Sequence, residues 1–259
     1  MHDARDKRAT SMRKRIQALY RTRGIVPTPV GFACNSLVTC SRGLPRGLYT
    51  GNWAFVGCSY GYARIESYRA RVLFVAMDRG GHGGADREGF ADTQRSFRRS
   101  IESPGNPHMG GVSLILQQLL DEDDLRKISG QCALTNALKC VQRTHAAKTN
   151  ATRQMINECA PHLRAELQVL KPHVIVTQGR HPTKTVLESF PSARTLATYK
   201  GESGHATRVV VDSDGTLILA MPHPARQAGL KWRQGEIPDF WSKAIRRTRR
   251  EFSRMQRTA

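Results

Sequence analysis

No stretch of this chain stays apolar for long. The longest run, Val72 to Met77, ends at Asp78, far short of the roughly 20 residues a bilayer-crossing helix needs. No membrane partner is therefore expected through a spanning helix. The N-terminus has no apolar segment behind its charges, so no secretory signal is expected, and an intracellular, cytoplasmic location is. No internal repeat is visible. With 39% hydrophobic and 24% charged residues, collagen-like, low-complexity and largely disordered classes are excluded. Acidic side chains are scarce: 21 Asp and Glu face 41 Lys and Arg, a formal net charge of +20. Such an excess points to a polyanionic partner, nucleic acid first and an anionic membrane surface as the rival.

What is present is enough chain, 259 residues, for one large domain or two small ones with a full core. The charge is uneven. Residues 1–23 and 243–259 each carry a net +6, leaving +8 for the body. We read a basic N-terminal arm over 1–26, a folded domain over 27–242 and a basic C-terminal helix or tail over 243–259. The arms are expected to be solvated and to add non-specific affinity.

Residues 13–23 read as a short basic helix or an unstructured arm, and 30–62 as loops and short strands. Arg71 to Met77 is a buried strand by its branched and aromatic content, opening into Asp78-Arg79-Gly80-Gly81. Residues 82–110 are expected to be a long surface loop. A helix follows over 111–120, a strand over 133–138, a long helix over 149–170 stopped by Pro172, a strand over 174–176 and a short helix over 182–190. Two strands, 209–211 and 217–219, flank an Asp214-Gly215 turn, and a basic helix covers 239–257. Near-continuous apolar strands alternating with helices predict a three-layer α/β/α sandwich around a mainly parallel sheet. In such sheets, ligands bind beyond the carboxyl ends of the strands. The turns after Met77, Leu138 and Met221 should therefore line one crevice, with Asp78, Asn136 and His223 as its polar groups.

The chemistry of those groups is specific in kind. A Gly-rich turn lets backbone N–H groups approach a phosphate or a base. An Asn amide donates and accepts at once, which suits a base edge. An imidazole held between Pro222 and Pro224 can stabilise developing negative charge. Each also fits a purely structural role, with Asp78 bracing a turn, Asn136 closing a strand end and His223 as a buried hydrogen-bonded side chain. The six cysteines are Cys34, Cys40, Cys58, Cys132, Cys140 and Cys159. In a reducing compartment disulfides are not expected, which leaves small buried side chains, reactive thiols or metal ligands.

Taken in order, the pieces resemble the uracil-DNA glycosylase superfamily, most closely its iron–sulfur branches. V-L-F-V-A-M-D-R-G-G at 72–81 resembles the first active-site strand and turn. N-P-H-M-G-G at 106–111 resembles the P-F-V-G segment, and T-N-A-L-K-C at 135–140 resembles T-N-x-x-K-C. E-C-A-P-H-L at 158–163, followed by K-P-H-V-I-V-T-Q-G at 171–179, resembles the C-x-P-x-L helix and its strand. H-P-A-R at 223–226 resembles the H-P-S motif. The resemblance covers roughly 70–230 and implies a DNA glycosylase. Such an enzyme flips uracil or a related deaminated base out of single- or double-stranded DNA and hydrolyses its N-glycosidic bond, leaving an abasic site. Asp78 would position water and stabilise the sugar cation. His223 would hold the base as charge develops. Met77, Gly80, His108 and Asn136 would form the base pocket, with His108 in the stacking position and Asn136 reading the base edge. Arg79, Arg226, Leu230 and Lys231 would contact DNA, Leu230 or Trp232 acting as a wedge. The chain departs from the family at Met77 (usually Glu), Arg79 (usually Pro), His108 (usually Phe) and Val141-Gln142 (usually R-P). These departures keep open a second reading, a nucleic-acid-binding protein on the same fold with altered chemistry. One form of it cross-links to the abasic sugar, through His145 in the insert after the strand. A zinc-stabilised RNA-binding or regulatory protein is the third.

The resemblance also implies a structural [4Fe–4S] cluster on Cys34, Cys40, Cys140 and Cys159, with zinc as the second choice. The spacing of Cys34 and Cys40 is wider than the family's C-x-x-C. Cys58 is an alternative to either, and Cys132 reads as core. Arg87, Arg95, Arg98, Arg99, Arg143, Lys148 and Arg233 are further candidates for phosphate contact.

Overall fold

The computed structural model describes residues 2–28, 31–41, 49–77, 90–142, 152–202, 204–223 and 235–258. In chain order its strands are β1 (Val26–Thr28), β2 (Gly31–Ala33), β3 (Tyr49–Gly51), β4 (Phe55–Val56), β5 (Ala63–Ile65), β6 (Tyr68–Ala70), β7 (Val72–Ala76), β8 (Cys132–Asn136), β9 (Cys140–Gln142), β10 (Val174–Gln178), β11 (Arg194–Lys200), β12 (Ala206–Val211) and β13 (Leu217–Met221). Its helices are α1 (His2–Thr22), α2 (Leu37–Ser41), α3 (Phe90–Glu102), α4 (Pro107–Leu120), α5 (Leu125–Gln131), α6 (Arg153–Leu170), α7 (Arg180–Leu187) and α8 (Asp239–Thr258).

The central sheet runs β11-β12-β13-β10-β7-β8-β4. β13, β10, β7 and β8 are parallel. β11 and β12 add antiparallel at one edge and β4 at the other. Each parallel strand is apolar at successive positions because both faces are covered. Val72, Phe74, Leu134, Val176 and Leu219 face a core closed by Ile115 and Leu116 of α4 and by Trp241, Ile245 and Phe252 of α8. Leu73, Val75, Ala133, Ile175 and Ile218 face the opposite core, closed by Ile16 and Tyr20 of α1, Leu163 and Leu167 of α6 and Val186 of α7. The three-layer α/β/α architecture read from the sequence is the one observed.

Helix boundaries follow local chemistry. Asn106 caps α4 by accepting from Met109 N at 3.0 Å, with Pro107 in the first turn. Thr152 caps α6 through Met155 N at 3.1 Å, and Lys171 closes it in the left-handed region at φ 45°.

Three readings change. Residues 90–102 form α3, not loop. The Gln94 side chain accepts from Val56 N and donates to Ala54 O, so α3 shields the edge strand β4. β11 went unread because its side chains are largely exposed, with none of the apolar continuity of the inner strands. The termini are not solvated tails. Ala9, Ile16 and Tyr20 of α1 and Trp241, Ala244, Ile245 and Phe252 of α8 are buried; each basic helix turns a charged face outward and an apolar face onto the sheet. Among the described residues, no helix is long and apolar enough to cross a membrane.

His162 on α6 is buried, and its Nδ1 has no partner among the described residues. Burial first, then the charges of Lys139 and Arg23, lower its pKa to about 4. The unfolded chain takes this proton near pH 6.5, while the folded chain refuses it until about pH 4. The stability present above the unfolded value is thus lost as pH falls from about 6.5 towards the folded value. Melting temperature measured from pH 7 to 4 should fall more steeply for the wild type than for His162→Gln. Identical slopes would contradict this.

Candidate functional site

The carboxyl ends of the four parallel strands are laced together. Ala76 O accepts from Ala137 N at 2.7 Å, Met77 O from Leu138 N at 2.9 Å, and Met221 O from Gly179 N at 2.8 Å. Register then fixes which side chains meet. Ala76 pairs with Asn136, Val75 with Thr177, and Gln178 with Met221. Asn136, Ala76, Gln178 and Met221 therefore form one row across β8, β7, β10 and β13. In-register side chains of a parallel sheet share a face. This face is the one that carries Phe74, Leu134, Val176 and Leu219 towards α4 and α8. Two strand spacings separate the Asn136 and Gln178 backbones, about 10 Å.

Two imidazoles stand over this row. His108, in the first turn of α4, lies with Nε2 2.7 Å from Gln178 Oε1; the amide oxygen can only accept, so the imidazole donates. His223, two residues beyond β13, stacks on His108 with ring centroids 4.9 Å apart and planes at 17°. Asn136 is 2% exposed and Gln178 1%, yet Asn136 Nδ2 and Gln178 Nε2 have no partner among the described residues. Buried amide donors are costly unless something accepts from them. Two of them lie in one row beside a pair of imidazoles, an arrangement that can donate to a ligand with acceptor atoms.

Under Asn136 lies a buried polar network. Lys139 Nζ donates to Asn136 O, to Thr135 Oγ1 at 3.0 Å and to Glu166 Oε2 at 2.8 Å. Thr135 Oγ1 donates to Glu166 Oε2 at 2.6 Å, and Tyr20 OH donates to Glu166 Oε1 at 2.5 Å while accepting from Ala54 N at 2.8 Å. The Lys139–Glu166 pair is 1% and 0% exposed. Burial first, then the Glu166 carboxylate, keep the Tyr20 hydroxyl protonated far above the usual phenol range. The network ties α1 and α6 to the end of β8 and fixes the carbonyl of Asn136. Asn52 adds a second brace, donating from Nδ2 to Leu138 O at 3.1 Å and from its backbone N to Lys139 O at 2.8 Å.

Of the residues singled out from sequence, the structure thus gathers His108, Asn136 and His223, with half-buried Met77 at the end of β7. Asp78, Arg79, Gly80, Arg226, Leu230 and Lys231 lie outside the described residues, as do Arg87, Arg143, His145, Lys148, Trp232 and Arg233. Arg95 and Arg98 of α3 form exposed ion pairs with Asp92 and Glu102. Gln178, Glu166 and Tyr20 were missed. Glu166 carried a signal, a carboxylate on the apolar stripe of α6 with Leu163, Leu167 and Leu170. Beside His223, a groove of about 640 Å³ is lined by Gly179, Arg180, Lys184, His205, Arg208 and Pro222 among others, a basic flank the sequence reading did not anticipate.

The four cysteines expected as ligands lie near one another. Burial first, then Cys159, Cys40 and Cys34, raise the Cys140 thiol well above its usual range. Cys40 is pushed up to about 12 by burial first and then by Cys159 and Cys34. Cys159 Sγ accepts from Lys139 N at 3.3 Å. This donor set suits a thiolate-held centre. Even so, among the described residues no three His, Cys, Asp or Glu side chains are gathered closely enough to hold a metal ion. Cys58 sits at the opposite end of the sheet, next to Gly130 and the start of β8, and does not substitute for Cys34 or Cys40. Cys132 is core, as read.

Comparison with known proteins fits this geometry. The family model for the uracil DNA glycosylase superfamily matches residues 64–247. A Type-4 uracil-DNA glycosylase of Sulfurisphaera tokodaii is 29% identical over 89 residues, 34% of this chain and 39% of that protein. One of Archaeoglobus fulgidus is 25% identical over 128 residues, 49% and 60% respectively. The match covers less than two thirds of either relative. The family match itself spans β5 to the first half of α8 and contains the whole strand-end row, and the chain belongs to the uracil DNA glycosylase superfamily.

Proposed function

We propose that this protein is a DNA glycosylase that captures an extrahelical uracil, or a related deaminated base, and hydrolyses its N-glycosidic bond. The observation that carries the reading is the row of amide donors, unpartnered among the described residues, beneath the stacked His108 and His223, at the carboxyl edge of a superfamily sheet. A base taken out of the stack is read by hydrogen bonds to its edge and by stacking. Asn136 reads the edge, and the His108 ring covers a face. The bond from the sugar C1′ to the base nitrogen breaks with its electron pair leaving on the base, and a water oxygen bonds to C1′. His223 donates to the base O2 as negative charge gathers there, a preorganised electrostatic role. Asp78 orients the water and stabilises the cationic sugar. The basic surface supplies phosphate contacts and salt-dependent affinity.

Cys34, Cys40, Cys140 and Cys159 would hold a [4Fe–4S] cluster, or zinc, and the centre's contribution would be structural. It would join the segment around α2 to α6 and β9, next to the end of β8. Purified protein is expected to contain about four irons per chain and to absorb near roughly 400 nm, with Cys140→Ser losing the iron. About one zinc per chain without that absorbance would assign zinc instead; protein with neither metal would remove the centre.

A panel of oligonucleotides, each carrying one altered base, tests the activity. Alkali-labile abasic sites are expected with uracil in the strand. Binding without any such site would favour the rival reading, a nucleic-acid-binding protein without this chemistry, for which the Met77, Arg79 and His108 departures speak.

A further inference from the structure

Gln178 ends the K-P-H-V-I-V-T-Q strand, where the family resemblance gives it no role, yet it is the second polar group of the strand-end row. Its Oε1 is occupied by His108 Nε2 at 2.7 Å. Its Nε2 is buried without a partner among the described residues. The side chain shares a face with Asn136 and stands beside β13, the strand that leads into His223. A buried side chain with one end fixed and its donor end without a described partner is preorganised for an acceptor. We infer that Gln178 is a base-contacting residue, whose Nε2 donates to a ring carbonyl on the side of the base opposite Asn136. The inference rests on the glycosylase reading and deepens it. With Asn136 donating from one flank and Gln178 from the other, the row fits a 2,4-dioxopyrimidine, which carries a carbonyl oxygen on each side of the ring.

The position of Gln178 next to His223 assigns it the oxygen that gathers charge as the glycosidic bond breaks. The contact therefore strengthens in the transition state and acts on rate more than on DNA affinity. A second role competes with this one: Gln178 also holds the His108 ring. The two separate in a His108→Phe background, where the bond to the imidazole is gone. Adding Gln178→Met there removes the Nε2 donor together with an Oε1 that has already lost the imidazole it accepted from, and the exchange is close to isosteric. It also deletes a buried donor that nothing described in the free protein satisfies, so the melting temperature should hold or rise.

The experiment compares His108→Phe with His108→Phe/Gln178→Met. Single-turnover excision from a uracil-containing single strand and the melting temperature are measured for both. Binding of that strand is compared with its cytosine counterpart by fluorescence anisotropy. We expect the second change to lower the excision rate about tenfold, the effect of one lost hydrogen bond, with stability retained. No further fall in rate would overturn the contact and leave Gln178 a support for His108. If even the wild type excises nothing, the glycosylase reading fails and binding decides the contact. A preference of His108→Phe for the uracil strand that Gln178→Met abolishes would sustain it; an absent or unchanged preference would overturn it.

Discussion

Glu166→Ala is expected to destabilise the protein by about 3–5 kcal/mol, because it leaves a buried ammonium without its counter-charge. Lys139 is 1% exposed and donates to Glu166 at 2.8 Å. With the carboxylate gone, Tyr20 also loses its acceptor, and α1 loses its polar tie to α6. Chemical denaturation reads the loss directly. The double change Lys139→Met/Glu166→Leu provides the control: replacing both charges with apolar groups of similar size should return most of the stability. If the single change costs less than about 1 kcal/mol, the network is not holding the end of β8 in the way described. The functional consequence follows from the same bonds. Lys139 holds the Asn136 carbonyl, so the single change should reduce base recognition even where the chain remains folded.

Asp78→Asn is expected to reduce excision of uracil by about 10²–10⁴-fold, the range for a group that directs water in the transition state. Affinity for the uracil-containing strand should stay close to that of the wild type, because the amide keeps the size of the carboxylate and removes a negative charge that would repel phosphates. Single-turnover kinetics and equilibrium binding on the same oligonucleotide separate the two quantities. Equal excision by the variant would remove Asp78 from the chemistry, whatever the rest of the site does.

The inner strands were legible in the sequence because burial on both faces leaves a continuous apolar run, and the register of β7, β8, β10 and β13 then follows from parallel pairing. Asn136 and His223 were legible because each ends such a run in a polar residue beside a turn. β11 was not, since an exposed edge strand has no such pattern. α3 was hidden in a segment rich in Arg, Ser and Gly, where its sparse inward positions, Thr93, Phe97 and Ile101, gave too weak a helical period. Gln178 escaped notice because its meaning is relational. Only the pairing of four strands shows that it shares a row with Asn136, and only the start of α4 brings His108 onto it. The basic termini misled for a similar reason: high charge masks an apolar stripe when the charges outnumber it, as in α8, where Trp241, Ile245 and Phe252 sit among arginines.

Crystals of the Asp78→Asn variant with a uracil-containing single strand test the central claim most directly. The uracil ring is expected to be extruded against His108, with Asn136 Nδ2 at hydrogen-bonding distance, about 2.7–3.2 Å, from one ring carbonyl and the His223 imidazole directed at the other. A uracil still stacked in the strand, or held on another surface with Asn136 Nδ2 unpartnered, would contradict it.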